Sequence, residues 1–349
     1  MHAAAIAHLR ETELTVVVDR HFERARSLAD PYRALALTDL GAALARSDVE
    51  AVAICAPSGH HADLAEAALA AGKHVVVEKP VAVSVAGAHR IAAAERASGR
   101  RVTVISQHRF DPSSRIVFDA LRSGRLGHVT SGSALIPWWR SQAYYDSAGW
   151  RGTWALDGGG ALMNQGIHTI DLLVWFLGEP VEVFAWTARL AHERMEVEDT
   201  AVATIRFASG ALGVIQGTTA AYPGLNARLQ LHGDRGSAVI DNDRLTYFHV
   251  AAEGETSVDV GAGSPDNQAG QMLEAETEGA PAIAGLRLAA HIAQYDDFIS
   301  SVIGGRPPLV TVEEATRTLA VVCALYDSAR SGRPATVLGS APHDTIKLD

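Results

Sequence analysis

The chain is predicted to be an α/β protein in two parts: a doubly wound parallel sheet, then an α+β part with a large, mostly antiparallel open sheet. Three observations predict this. Up to about Arg109, short unbroken apolar runs alternate with Ala-rich helical stretches, the rhythm of βαβ units. From Val129 onward the runs alternate apolar and polar residues, with hairpin-like turns at Ala208-Ser209-Gly210 and Gly233-Asp234-Arg235-Gly236. No glycine precedes Gly41, so the parallel part lacks a glycine-rich turn ahead of its first helix.

Each element follows from local pattern. Ala3 to Leu9 reads as the body of a helix, and Leu14 to Val18 as a strand ending at Asp19. Ala51 to Ala56 is continuously apolar, as expected for a strand covered on both faces, and Pro57-Ser58-Gly59 stops it. A helix follows from Ala62 to Ala71, with Leu64, Ala67, Ala68 and Ala71 at helical spacing and Gly72 closing it. His74 to Val77 is the next strand and runs into Glu78-Lys79-Pro80. Ala86 to Ser98 reads as helix, Val102 to Ser106 as strand, and Asp111-Pro112 opens a helix through Leu121. The second part offers strands at Val129–Trp139, Val181–Ala191, Thr200–Phe207, Ala211–Thr218, Ala227–His232 and Ser237–Ile240. One helix, Gly160 to Leu177, packs against them. Residues 252–284 read as an irregular excursion, and helices near Ala289–Ile303 and Val312–Ser331 close the chain. The expected domains are 1–110 and 111–349.

Composition bounds the function. The 349 residues suggest two domains, and a hydrophobic share of 48% with 20% charged fits a globular chain with a sizeable core. A formal net charge of −10 disfavours a general nucleic-acid or anionic-membrane binder. Cys55 and Cys323, far apart in apolar runs, are expected to be buried reduced thiols. No apolar run is long enough for a membrane span and no signal peptide is evident, which points to the cytoplasm.

Four groups of residues could carry chemistry. Lys79 lies just past the carboxyl end of a parallel strand, the edge where open α/β sheets hold their ligands. There it can be partly desolvated and lose its proton more easily. The stretch Asp157-Gly-Gly-Gly-Ala-Leu-Met-Asn164-Gln-Gly-Ile-His168-Thr-Ile-Asp171 puts Asn164, His168 and Asp171 on one helix face. Its three glycines either let a ligand approach the backbone or make a tight helix–sheet contact. Gln107-His108-Arg109 follows another parallel strand. Trp138-Trp139-Arg140, Tyr144-Tyr145 and Trp150-Arg151 mix aromatics with arginine, which suits a carbohydrate: flat apolar faces ringed by hydroxyls. Asp19, ending the strand before it, could accept hydrogen bonds from ribose hydroxyls. No metal site is expected, since no Cys or HExxH spacing exists and His60 and His61 do not share a helix face. A Gly-x-Ser-x-Gly nucleophile is also absent.

The strings APSGHHADLAEAALAAGKHVVVEKP and GGGALMNQGIHTIDLLVWFLG, in that order, resemble two motifs of the Gfo/Idh/MocA oxidoreductases. The resemblance covers nearly the whole chain. It implies an N-terminal Rossmann domain, NAD(P), hydride transfer to or from a secondary alcohol or ketone of a sugar, polyol or derivative, and a homodimer or homotetramer built through the C-terminal sheet. By this resemblance Lys79 and His168 are the catalytic pair. Asn164 stands where many members have aspartate, and an amide can orient a hydroxyl but cannot act as a base. Asp19 and Arg20 match the adenosine-ribose position. Ala56, Pro57, Ser58 and His61 match the loop beside the cofactor, and Glu78 the nicotinamide ribose. Gln107, Trp150 and Arg151, together with Lys79, complete the cofactor residues. Arg109, Arg140 and Tyr144, with Asn164 and His168, are assigned to the substrate. Asp19 favours NAD because a carboxylate repels a 2′-phosphate, while Arg20 leaves NADP open. The missing first strand and glycine-rich turn, about 10–15 residues by usual element lengths, suggest a misplaced start. They also leave open a non-catalytic dinucleotide- or sugar-sensing regulator on the same fold.

Overall fold

The computed structural model describes residues 1–252, 254, 266–277 and 286–337. Along the first stretch lie α1 (His2–His8), β1 (Val16–Val18), α2 (Phe22–Ala29), β2 (Leu35–Leu37), α3 (Leu40–Leu44), β3 (Ala51–Ile54), α4 (His61–Ala70), β4 (His74–Val77), α5 (Val85–Ser98) and β5 (Val102–Val104). Next come α6 (Pro112–Arg122), β6 (Val129–Pro137), α7 (Gln142–Asp146) and a π-helical turn (Ala161–Gly166) that runs into α8 (Ile167–Leu177). Strands β7 (Pro180–Ala188), β8 (Thr200–Phe207), β9 (Leu212–Thr218), β10 (Arg228–Gly233), β11 (Gly236–Asp241) and β12 (Arg244–Val250) follow. The chain continues with α9 (Ala269–Thr277), α10 (Leu286–Gly304), α11 (Val312–Ser331) and β13 (Ala335–Thr336). Helix α9 falls inside the stretch expected to be irregular; residues 253, 255–265 and 278–284 of that stretch lie outside the described residues.

The chain divides into two compact units, Met1–Gln107 with Ala282–Thr316, and His108–Pro281 with Arg317–Asp349. The first boundary sits three residues before the expected one. The larger difference is that α10 belongs to the first unit, although the sequence assigned it to the second domain. The reason is the exposed edge of β5. Gln294 of α10 donates to Val104 O (2.7 Å), and its Oε1 accepts from Ser106 N (3.0 Å). Thr103 Oγ1 donates to Val310 O (2.9 Å). Tyr295, Phe298 and Ile292 pack with Ala5, Val76 and Ile105 in one apolar cluster.

In the first unit all strands pair in parallel, but in two pieces: β1 with β2, and β3-β4-β5. In the doubly wound order 3-2-1-4-5-6 these correspond to strands 3-2 and 4-5-6. No described strand fills position 1. As a result β4 and β5 are buried, whereas β3, expected to be covered on both faces, is half-exposed and ends at Ile54. The same open edge leaves Cys55 exposed rather than buried. Helix ends follow local chemistry. Ser84 accepts from Gly87 N at the start of α5, Asp111 precedes Pro112 at the start of α6, and Gly99 ends α5 in the left-handed region.

The second unit is built on an eight-stranded sheet in the order β12-β11-β10-β6-β9-β8-β7-β13. Only β6 and β9 pair in parallel; the other pairings are antiparallel. Strands β8 and β9 bury alternate residues, so one face is covered and the other open. The π-turn and α8 lie on the covered face. Gly132 and Gly217 make room there, since a Cβ at either would press on Leu173 or Leu162. Among the described residues no helix is long and apolar enough to cross a membrane.

Candidate active site

In the first unit the candidate residues stand at carboxyl ends of parallel strands. Half-buried Asp19 follows β1, and its Oδ1 accepts from His21 N (2.8 Å). After β4, Glu78 uses both carboxylate oxygens: Oε1 lies 2.7 Å from His2 Nε2, and Oε2 accepts from Lys79 N (2.9 Å). His2 Nδ1 sits 2.9 Å from Tyr295 Oη. Burial pulls the His2 imidazole down, but hydrogen bonds to Cys55 and Glu78 outweigh it and push its pKa to about 10. Burial opposes ionisation of Glu78 too, yet His2 holds that carboxyl below its ordinary value. The nicotinamide-ribose role implied for Glu78 therefore competes with a pair already formed inside the unit.

His61 corrects another expectation. It is 1% exposed, and its ring nitrogens face Pro80 O (2.8 Å) and Ala56 O (2.9 Å). Burial lowers its pKa. Its one N–H donates to a carbonyl on one side and its other ring nitrogen faces a second carbonyl, so the buried ring links the end of β3 to the turn after Lys79. Half-buried Lys79 lies on that tethered turn.

In the second unit the stretch from Gly160 to Leu177 is not one α-helix. Residues Ala161–Gly166 form a π-turn, a feature that recurs at functional sites. Asn164 sits in it and His168 just beyond. Asn164 Nδ2 donates to Asp157 Oδ1, and its own Oδ1 accepts from Gln165 Nε2 (3.0 Å). Asp157 is 2% exposed and accepts from Gly152 N (2.9 Å). His168 is half-buried, edge-on to His108 at 5.1 Å between ring centroids. His108 Nδ1 lies 2.6 Å from Asp111 Oδ2.

Two of the three glycines, Gly159 and Gly160, make close packing contacts. A Cβ on Gly160 would collide with the backbone of Glu198, and one on Gly159 with Tyr326 and Met163. Glu198 fastens the start of the π-turn: its carboxylate accepts from Gly160 N (3.0 Å) and Leu162 N (2.9 Å), and its carbonyl from Ala161 N (3.1 Å). Tyr326 Oη donates to the same carboxylate (2.9 Å). Burial pushes Glu198 up to about 7 against those hydrogen bonds.

Asp171 lies three residues after His168 in α8, but the π-turn alters its spacing from Asn164, and it has other partners. Arg109 grips it through Nε–Oδ2 (2.8 Å) and Nη2–Oδ1 (2.7 Å), and Thr318 Oγ1 adds 2.8 Å. Arg109 is 1% exposed and stacks 5.2 Å from the Trp175 ring. That removes it from substrate binding, since its charge is already met and no solvent reaches it. Arg140, Tyr144, Trp150 and Arg151 do come together. Arg151 lies 4.3 Å from the Tyr144 ring and 4.5 Å from Trp150; Arg140 lies 5.5 Å from Tyr144 and from Trp138. Gln165 Nε2 donates to Tyr144 Oη (2.8 Å), so this cluster touches the π-turn.

Sequence reading missed Asp157 as the support of Asn164, Glu198 as the anchor of the turn, and His108 as the neighbour of His168. Asp157 carried a signal in its place beside the glycines and His108 in its place after a parallel strand; Glu198 carried none. Two clusters, His2–Glu78–His291 and His108–Asp111–Asp243, bring possible metal-ligand atoms within 4.8 Å of one another, a proximity invisible to searches of sequence spacing.

Comparisons with known proteins identify the family. Residues 1–106 match the family model described as "Oxidoreductase family, NAD-binding Rossmann fold", and residues 115–239 match "GFO/IDH/MocA C-terminal domain". The crystal structure of the WlbA dehydrogenase from Bordetella pertussis in complex with NADH and UDP-GlcNAcA superposes with a TM-score of 0.85 at 32% identity, over 98% of this chain and 94% of that one. The chain belongs to the Gfo/Idh/MocA oxidoreductases. Inositol 2-dehydrogenase of Rhizobium meliloti is 28% identical over 72% of this chain and 74% of its own length. The oxidoreductase YrbE of Bacillus subtilis, itself uncharacterized, is 29% identical over 72% and 73%.

A Gfo/Idh/MocA protein is an NAD-binding oxidoreductase, and two features of this member suit a dinucleotide. The second carboxylate oxygen of Asp19 accepts from no described residue, which leaves it for ribose hydroxyls. Gln107, 7% exposed, has an Oε1 that is buried without a hydrogen-bond partner. Such an acceptor is costly unless a ligand or water meets it.

Proposed function

We propose that this oxidoreductase transfers hydride between NAD and a secondary alcohol or ketone on a sugar, polyol or sugar derivative. The observation that carries the reading is the match of both halves to one oxidoreductase family, with Lys79 and His168 each inside a matched segment. The nicotinamide supplies the hydride acceptor or donor when bound. His168 takes or returns the hydroxyl proton, and Asn164, held by Asp157 and Gln165, orients that hydroxyl through its amide. Lys79 is assigned to the same proton transfer on its sequence motif. Asp19 supports NAD over NADP, since a carboxylate repels a 2′-phosphate, although exposed Arg20 stands beside it.

Turnover of sugars and polyols, followed by nicotinamide absorbance, tests this. Lys79→Ala and His168→Ala are each expected to lower kcat at least about a hundredfold with near-native folding. Dinucleotide binding with no turnover across the whole panel would instead support a sensor on this fold.

The open face of the large sheet supports a homodimer or homotetramer built through it. Trp186 and Val202 pair across β7 and β8 while 65% and 42% exposed, and Leu212 and Val214 on β9 are 59% and 42% exposed. Trp186→Asp is expected to give a monomer in sedimentation velocity; an unchanged oligomer would move the interface elsewhere.

A further inference from the structure

We infer that the substrate carries an anionic group, a sugar carboxylate or phosphate, and that Arg140 and Arg151 receive it. The inference rests on the dehydrogenase reading above and narrows its substrate class.

A guanidinium has five N–H donors. Among the hydrogen bonds of the described residues, Arg140 uses its side chain once, from Nη1 to Trp139 O (2.9 Å). Arg151 makes two such bonds, from Nη1 to Tyr144 Oη (2.6 Å) and from Nε to Ser147 Oγ (3.2 Å). Neither forms an ion pair with a carboxylate of the described residues, although the chain carries ten more acidic than basic residues. The nearby carboxylates are engaged elsewhere. Asp146 pairs with Arg194 (2.8 Å), Asp157 holds Gly152 N and Asn164, and Glu196 accepts from Trp154 N (2.9 Å). Two half-buried cations thus share one tyrosine ring, repel one another, and keep donors in hand for an oxyanion.

The site is also held in place. Arg140 N donates to Thr219 O (2.9 Å), and Arg140 O lies 2.7 Å from His192 Nε2. The other ring nitrogen of His192 sits 3.1 Å from Asp199, which is 0% exposed and accepts from Leu190 and Ala191 N as well. Arg151 borders a cavity of about 350 Å³. Its neighbour Gly152 leads through Asp157 to Asn164, and Tyr144 leads through Gln165 to the same turn. An anion on the arginines and a hydroxyl on Asn164 are therefore addressed by one hydrogen-bonded framework. Fixing both ends of a sugar in this way selects which carbinol carbon reacts.

The test is calorimetric titration, independent of turnover, with glucuronate and glucose 6-phosphate against neutral glucose and myo-inositol. The expected result is tighter binding of at least one anionic sugar. Arg140→Gln and Arg151→Gln should each weaken that binding about ten- to a hundredfold, and Arg140→Gln should do so with the affinity for NADH unchanged. Arg151→Lys, which keeps the charge and loses the fork, should fall between. Raising the salt concentration on the unaltered protein should weaken the anionic sugar and leave the neutral ones alone, a readout that needs no variant. Preference for carboxylate or for phosphate assigns the group and supports the inference either way. Neutral sugars binding as tightly as anionic ones, or anionic binding that ignores both substitutions and salt, overturns it. Arginine-dependent binding of an anionic sugar without hydride transfer would keep this inference and remove the dehydrogenase reading instead.

Discussion

Arg109 and the Arg140–Arg151 pair lie in the same unit, each against aromatic rings, yet differ in what meets their charge. Arg109 has both ends of its fork on Asp171 and no solvent access, whereas Arg140 and Arg151 stay half-buried with donors unspent. The difference separates scaffold from site. A guanidinium whose carboxylate partner is inside the fold holds helices together; one without such a partner is set up to meet a charge from outside. Residue type alone does not distinguish them, because all three arginines follow strands or aromatic motifs in the sequence.

The comparison breaks most visibly at Asp171. Asp171→Asn should cost about 3–5 kcal/mol, because it strands a buried guanidinium, and should appear as a lowered urea midpoint. Under the same substitution KM for an anionic sugar should change little; a large KM effect with unchanged stability would put Arg109 back into the binding site. The losses of about ten- to a hundredfold expected at Arg140 and Arg151 are smaller in energy and have the opposite signature, binding without stability. The smallest effect sharpens a third case, Glu198, a buried carboxylate met only by backbone amides and a hydroxyl. Its folded pKa is raised from the ordinary 4.5 to about 7. It therefore favours the folded state fully below the unfolded value, and that contribution fades as pH rises through about 7. Glu198→Gln should flatten the fall in unfolding free energy between about pH 5 and pH 8. An identical slope in the variant would assign the titration to another group.

Much of the fold was legible because periodicity reports one-sided burial. The limits of β8 and of α11 agree with the residues read from alternation and helical spacing, and β6, β7, β9, β10 and β11 lie within a residue or three of theirs. Short elements escaped: β2, α3 and α7 carry too few apolar repeats to rise above their surroundings, and the seven-residue β12 went unread as well. The burial of β3 was misjudged because an apolar run records a strand's composition and not whether a neighbour lies beside it. In the site, Asn164 and His168 stood out as polar residues on an apolar helix. The roles of Arg109, His61 and Glu198 depended on partners 62, 19 and 38 positions away, at separations no local pattern encodes.

The widened turn at Ala161–Gly166 has a consequence for how such a site could diverge. It holds a surplus of backbone that the helix does not need in order to lie on the sheet. Losing a single codon there would let ordinary helical winding run through, with the residues after the turn still in register on the sheet. His168 and Asn164 would part company while the packing on the strands adjusted locally. One small deletion, in the turn that carries Asn164, would thus separate the group that moves a proton from the group that aims it.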